Sequence, residues 1–441
     1  MTFSPEILRA KLAELEDQAA APSRYVIAFS GGLDSTALAH ALSHAKTGVP
    51  VLAIHIDHGL HEDSQRWSDH CEEFAASLGI EYRSRKVIVQ LESGKGPEAS
   101  AREARYTALH AELGHDDWLL SAHHREDQAE TLLLNLVRGS GPAGIAGIGA
   151  MRRFGPGWLA RPLLHTDRAA LSKYADENGL DWIEDPSNKD RRFDRNFLRH
   201  DILPRLQSRW PDIAARLQRS ATHAGEAATL LADLASIDLE ALGGYPERLP
   251  IDRLLALTPG RQRNLLRHSL RLLGLSTPTA LQLERILGEV LPAREDAQPH
   301  VSWPGASVRR YRNGLYLLPE QLASAPLATS IETESVPLGA GLGVLRFKSG
   351  AARGLSAELF ERGLRLDIRK GGEEIQPSGQ GHTRKLKKLL QEEGVVPWMR
   401  DRLPLVYSGE RLVAVADLWI AADAVSEPGV AVRWDERPAL H

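Results

Sequence analysis

Cysteine is nearly missing from this chain: Cys71 is the single one in 441 residues. One thiol cannot build a disulfide framework, a four-cysteine zinc site or a cysteine-held iron–sulfur cluster. A reducing, cytoplasmic setting is expected. Long apolar runs are missing as well, none nearing the roughly 20 residues that cross a bilayer, so no membrane attachment is expected. The first residues carry Glu6, Lys11, Glu14 and Asp17 and read as an amphipathic helix rather than a signal peptide. There is no internal repeat and no long low-complexity stretch. Net charge is small, -4, which argues against an indiscriminate binder of polyanions.

What is present starts with Ser30-Gly31-Gly32-Leu33-Asp34-Ser35-Thr36. It follows Tyr25–Phe29, a short run of β-formers, and precedes a helical stretch from Ala37. Strand, glycine turn and helix aim backbone N–H groups and a positive helix end at a phosphate. Ser30, Ser35 and Thr36 add hydroxyls, and Asp34 offers a carboxylate for a magnesium ion. A Walker loop would carry a Lys before its Ser/Thr, and none is here. On shape alone, a plain strand-to-helix turn fits equally well.

Length allows two to four domains. Three strand-like runs, Tyr25–Phe29, Val49–Ile56 and Trp118–Ala122, alternate with helical stretches, the pattern of a parallel sheet covered on both faces. Each run ends in a polar cluster: the glycine turn, then His55-Ile56-Asp57-His58-Gly59-Leu60, then His123-His124-Arg125-Glu126-Asp127. Ligands collect beyond such strand ends. Between the last two clusters, Pro97–Leu113 reads as a helix with Arg102, Arg105 and Tyr106 on one face, either a surface face or an anion clamp. His123, Asp127 and Glu130 share a helical face, so a divalent metal is an alternative there.

The expected domains are an α/β domain over 1–211, a mainly helical domain over 212–320, a linker at 321–340 and a small α/β domain over 341–441. Three basic clusters punctuate them: Arg191 to His200, Arg261 to Arg271, and Arg384, Lys385, Lys387 and Lys388. Each alone is an ordinary solvated face; together in a mildly acidic chain they point to contacts with a nucleic acid. Thr383 is expected to cap a helix that Gly394 ends, with Leu386, Leu389 and Leu390 inward.

SGGLDST resembles the PP-loop of ATP pyrophosphatases, which adenylate a substrate and release pyrophosphate. The ordered series SGGLDST, HIDHGL, AREARY, AHHREDQAET, RGSGPAGIAGI and WIEDPSNKDRRFDRNFLR, with the tail KLKKLLQEEGVVPWMRDRLPLVYSGERLVAVADLWI, resembles the tRNA(Ile)-lysidine synthetases in their long bacterial form. One departure stands out: that family usually reads His-His-x-Asp-Asp, and Glu126 occupies the first acidic place here.

The resemblance implies an adenine-nucleotide alpha-hydrolase-like PP-loop domain followed by two RNA-binding domains. It implies conversion of C34 in the CAU anticodon of tRNA(Ile) to lysidine, using ATP, Mg2+ and free L-lysine. Ser30, Gly31, Gly32, Leu33, Asp34, Ser35 and Thr36 would hold the phosphates, with Asp34 at the metal. His55 to Leu60, including His58, would line the adenosine. Arg102 and Arg105 would offset charge on the phosphorus. Asp127, with Glu126, would bind the lysine ammonium and take its proton, with His123 or His124 as the rival base. Arg195 and Arg199 would close over the site or the RNA. Arg384, Lys385, Lys387 and Lys388 would meet tRNA phosphates.

Overall fold

In the computed structural model, which describes residues 2–59, 63–88, 97–294, 297–322, 326, 328–339 and 341–440, the run at 25–28 is the strand around which the first half of the chain is layered. Strand β1 (Tyr25–Ala28) lies between β2 (Val51–Asp57) and β4 (Trp118–Leu120) in a six-stranded sheet. The order is β3-β2-β1-β4-β6-β5, with β3 at Glu81–Lys86, β5 at Met151–Phe154 and β6 at Gly157–Ala160. All neighbouring pairs are parallel except β5 with β6. Val26 is registered with Leu52 on one side and Leu119 on the other, and all three are buried.

Alternation along β1 feeds two cores. Tyr25 and Ile27 face Leu8, Leu12, Leu38 and Trp118; Val26 faces Ile54, Leu109 and Leu113. The first core is roofed by α1 (Pro5–Glu16), α2 (Leu33–His44), α3 (Ser64–Ser77) and α7 (Arg168–Glu177); the second is covered by α4 (Pro97–Ala111). After β4 come α5 (Arg125–Val137) and the short α6 (Pro142–Ile145), and after α7 the short α8 (Asp194–Phe197). The strands run from β1 outward to β3, then resume at β4 on the other flank of β1. That reversal opens a crevice at the carboxyl ends of β1 and β4, the place where open α/β sheets hold ligands.

The chain divides into two compact units, Met1–Leu231 and Ala232–His441. In the second, a four-stranded antiparallel sheet packs with helices Pro259–Leu272 and Ala280–Arg285 around Leu249, Leu265, Leu266, Leu283 and Val301. The hairpin expected around Asn313-Gly314 forms, but its two-residue turn is Arg312-Asn313, with Arg312 left-handed at φ 51°. Two five-stranded sheets follow. Short strands at Thr329–Ile331 and Ser335–Pro337 fall in the stretch whose composition suggests a linker, and their Ile331 and Val336 are buried; residues 323–325, 327 and 340 of that stretch lie outside the described residues. No described helix is long and apolar enough to cross a membrane.

The basic segment near the end differs from the helix expected. Arg384–Lys385 is a strand paired with Glu374–Ile375, and the helix starts only at Leu386. Thr383 is therefore not its cap. Leu386, Leu389 and Leu390 are buried, and Gly394 ends the helix at φ 86°.

Candidate active site

The glycine loop is held from inside, leaving its outer side open. Ser35 Oγ donates to the Gly32 carbonyl at 3.0 Å and lies 3.0 Å from Ser30 Oγ, while Thr36 Oγ1 donates to the Gly31 carbonyl at 3.2 Å. Gly31 takes φ 75°, and a Cβ there would come within 2.6 Å of Ile183 Cδ1 and 2.7 Å of Cys71 Sγ. The Ile183 N–H donates to the Gly31 carbonyl at 2.8 Å, so the chain after α7 fixes the loop. Helix α2 begins at Leu33, so its first N–H groups have no acceptor within the helix and point to the crevice mouth.

Across the crevice, α5 opposes that loop. The His124 N–H donates to Asp127 Oδ2 at 2.9 Å, closing the helix start. The His124 ring lies within 3.5 Å of Asp34 through Nε2, 3.4 Å of Asp127 through Nε2, and 3.0 Å of Glu126 through Nδ1. Burial opposes charge on this imidazole, yet the hydrogen bonds with Asp34 and Glu126 and the charge of Asp127 raise its pKa to about 10. It is an imidazolium at neutral pH and cannot serve as a base. His123 behaves oppositely. Burial first, then Arg161, Arg195 and Arg102, push it down to about 3 against the pull of Asp127, and Ser121 Oγ meets its Nδ1 at 2.5 Å. It is neutral.

Asp127 is already occupied. Its Oδ1 accepts from Arg195 at 2.8 Å and Arg199 at 3.0 Å, and Oδ2 takes the His124 N–H. Burial works against its charge, but His124 and Arg195 hold the carboxyl down at about 2. Glu130, fully buried, accepts from Arg195 Nε at 2.7 Å and Arg199 Nε at 2.6 Å. Arg195 and Arg199, both half-buried, thus neutralise two carboxylates at the crevice wall. The metal alternative for His123, Asp127 and Glu130 fails for the same reason: guanidiniums fill that face, and no three-residue metal cluster occurs among the described residues.

Glu126 uses Oε2 twice, towards His124 Nδ1 and from the Arg168 N–H at 3.0 Å. The longer side chain spans to the start of α7. Asp34 Oδ1 is buried without a hydrogen bond, the nearest cation being Arg168 Nε at 3.8 Å. An unsatisfied carboxylate oxygen beside an anion loop fits a divalent cation.

Among the remaining expected site residues, His55 turns inward. It is 6% exposed, with Nδ1 at 3.1 Å from the Phe29 carbonyl and 3.6 Å from Cys71 Sγ, so it belongs to the interior. His58 is half-buried; burial, then Arg105, depress its pKa, and its Nδ1 has no partner. Leu60 lies outside the described residues. Arg105 is half-buried beside Arg195, and Arg102 is exposed. Arg384 pairs with Glu392 at 2.5 Å, while Lys385, Lys387 and Lys388 are exposed on the second unit. Sequence reading missed Ser121, Arg161 and Arg168, which lie outside any motif of chemical spacing.

Comparison with known proteins adds an independent line. The profile of the PP-loop domain matches residues 5–206, that of the TilS substrate binding domain 249–316, and that of the TilS substrate C-terminal domain 364–434. The tRNA(Ile)-lysidine synthase of Coxiella burnetii is 42% identical over 417 residues, covering 94% of this chain and 92% of its own. The enzyme of the same name from Alkalilimnicola ehrlichii is 43% identical over 435 residues, covering 97% and 96%. This chain belongs to the tRNA(Ile)-lysidine synthase family. Both relatives align with nearly all of it, so both compact units are common to the family, and the carboxylate–imidazolium chain from Asp34 to Glu126 lies inside the matched PP-loop domain.

Proposed function

We propose that this protein makes lysidine at C34 of tRNA(Ile) bearing a CAU anticodon, from ATP and free L-lysine. The carrying observation is the Asp34–His124–Glu126 chain across the crevice, which puts an anion-holding loop and an acidic, cation-holding helix start on facing walls. A triphosphate needs the first and a lysine ammonium the second.

The C2 oxygen of cytosine leaves poorly. In the first step it attacks the α-phosphorus of ATP; a P–O bond forms, the bond to the β-phosphate's bridging oxygen breaks, and pyrophosphate departs. In the second, the lysine ε-amine attacks C2, the C–O bond breaks and AMP leaves with one proton lost from nitrogen. The loop from Ser30 to Thr36 holds the outgoing pyrophosphate. A magnesium ion held by Asp34 would supply charge neutralisation on the phosphates. Arg105 offsets charge developing on phosphorus.

Asp127 is held by two guanidiniums on Oδ1 and the His124 N–H on Oδ2, so it organises the wall. The Glu126 carboxylate receives the ammonium. With His124 already protonated, neutral His123 accepts the amine's proton. Burial and then Arg161, Arg195 and Arg102 weaken it as a base, and entry of phosphates offsets the arginines' share.

Purified protein, ATP, magnesium, labelled lysine and unmodified tRNA(Ile) test the reading. Label retained on the RNA only with ATP and with C34 supports it. ATP cleaved to ADP, or label independent of C34, overturns it. Glu126→Gln should raise the lysine KM about ten-fold, the cost of one charge-assisted contact, and Asp127→Asn should depress lysine transfer.

A further inference from the structure

The arginines around the crevice differ in what holds them. Arg195 and Arg199 are matched by Asp127 and Glu130. Arg102, Arg152 and Arg161 have no carboxylate partner among the described residues. They gather instead on an aromatic pair, Tyr106 and Phe154, whose rings meet edge-on with centroids 5.6 Å apart. The Arg102 guanidinium lies 5.0 Å from the Tyr106 ring centre and Arg152 lies 5.3 Å from that of Phe154. Arg161 is 6% exposed; it hydrogen-bonds the Tyr106 hydroxyl and donates to the Gly149 carbonyl at 2.6 Å, and its Nε has no partner.

Three like charges held together with no acid between them cost free energy, and burying one of them costs more. Aromatic faces and carbonyls fix guanidiniums without cancelling their charge. Such an arrangement keeps its field for a ligand, and the ligand must be an anion. A buried donor still unused in Arg161 says the same independently.

We propose that Arg102, Arg152 and Arg161 form a phosphate receptor, separate from the glycine loop, that takes a backbone phosphodiester of the RNA next to the target nucleotide. Position favours RNA over ATP. Arg161 directly follows β6, two strands from β1, which is about 10 Å at ordinary strand spacing. Arg102 and Arg152 are exposed, open to a large ligand from the rim, with Arg161 as the buried floor. The pair Tyr106–Phe154 positions the guanidiniums, which explains an aromatic contact between α4 and the β5–β6 hairpin. The choice of RNA rests on the lysidine reading above.

The test uses the full chain and an unmodified tRNA(Ile) anticodon stem-loop, titrated at several salt concentrations. Arg152→Gln, a surface change, should weaken binding about five-fold and lower the slope of log K against log salt by about 0.7–0.9, one phosphate's worth; the ATP KM should stay within two-fold. Tyr106→Leu should weaken RNA binding in the wild-type background and weaken it less in Arg102→Gln, because part of its effect passes through that guanidinium. A raised ATP KM with unchanged RNA binding would assign the receptor to the nucleotide and overturn the proposal, as would an unchanged salt slope. Lysidine formation by the wild type is scored in parallel: its absence with a lowered slope in Arg152→Gln would sink the lysidine reading and leave an RNA-phosphate receptor standing.

Discussion

His124 Nε2 stands 3.5 Å from Asp34 Oδ2, joining the helix after the glycine loop to the helix after the fourth strand. The same ring touches Glu126 and Asp127, so one buried cation is shared by three carboxylates. That cation offsets part of the repulsion among them. The ring is thereby a strut as well as a charge.

His124→Ala should accordingly leave three acids facing one another. Removing one side of a buried ionic network costs about 3 kcal/mol. Urea denaturation at pH 7 should report a lower midpoint with an unaltered slope. Wild-type stability in this variant would mean that the carboxylates are held apart by other means.

Adjacent glycines in the loop should respond differently to alanine. At Gly31 the left-handed backbone and the approach of Ile183 and Cys71 both oppose a Cβ. The loss should be roughly 2 kcal/mol, since a left-handed alanine alone costs 1–2. At Gly32 the nearest atom is 3.6 Å away, so Gly32→Ala should melt with the wild type. Thermal scans of both variants decide this, and equal destabilisation would count against Ile183 as the brace of the loop.

Lys385, Lys387 and Lys388 near the end of the chain are exposed. Replacing all three with Gln should weaken tRNA binding and lower its salt slope by about 2–3, nearly one for each lost phosphate contact. Binding unchanged across salt would remove them from the interface. Arg384 is left out of the variant because it is tied to Glu392.

Asp367 gives the second unit a pH dependence. It is 3% exposed, and Lys370, the Ile368 N–H and Arg365 hold its carboxyl down at about 2. A carboxyl depressed by folding stabilises the fold above its unfolded value, near 4, and loses that contribution as pH falls towards 2. The gap in stability between wild type and Asp367→Asn should be on the order of 2 kcal/mol at pH 6 and close towards pH 2. A gap independent of pH would show that the charge contributes nothing.

Much of the first unit was legible because its signals are local. The glycine loop, the central strands β1, β2 and β4, and the polar clusters at their ends all lie within short stretches whose composition matches their geometry. Strand β3 was not legible: Glu81-Tyr82-Arg83-Ser84-Arg85-Lys86 sits at a sheet edge and looks like a loop by polarity. The hairpin β5–β6 was hidden by shortness and by Arg152 and Arg153. At the site, the pairing of Arg195 and Arg199 was not legible because their partners, Asp127 and Glu130, are 65 or more residues away. Periodicity locates a helix face, but it carries no information on which distant charge will meet it.

The hydrogen bond from Ile183 to Gly31 spans some 150 positions of chain. A cradle whose shape depends on so remote a strap cannot be finished while the polypeptide is still being made up to that point. Closing such a separation is slow relative to forming a hairpin or helix. A nascent fragment ending before Trp182 would therefore carry every residue of the glycine motif yet lack the brace that sets its curvature, and nucleotide capture would begin only after the far side of the crevice has emerged and folded back.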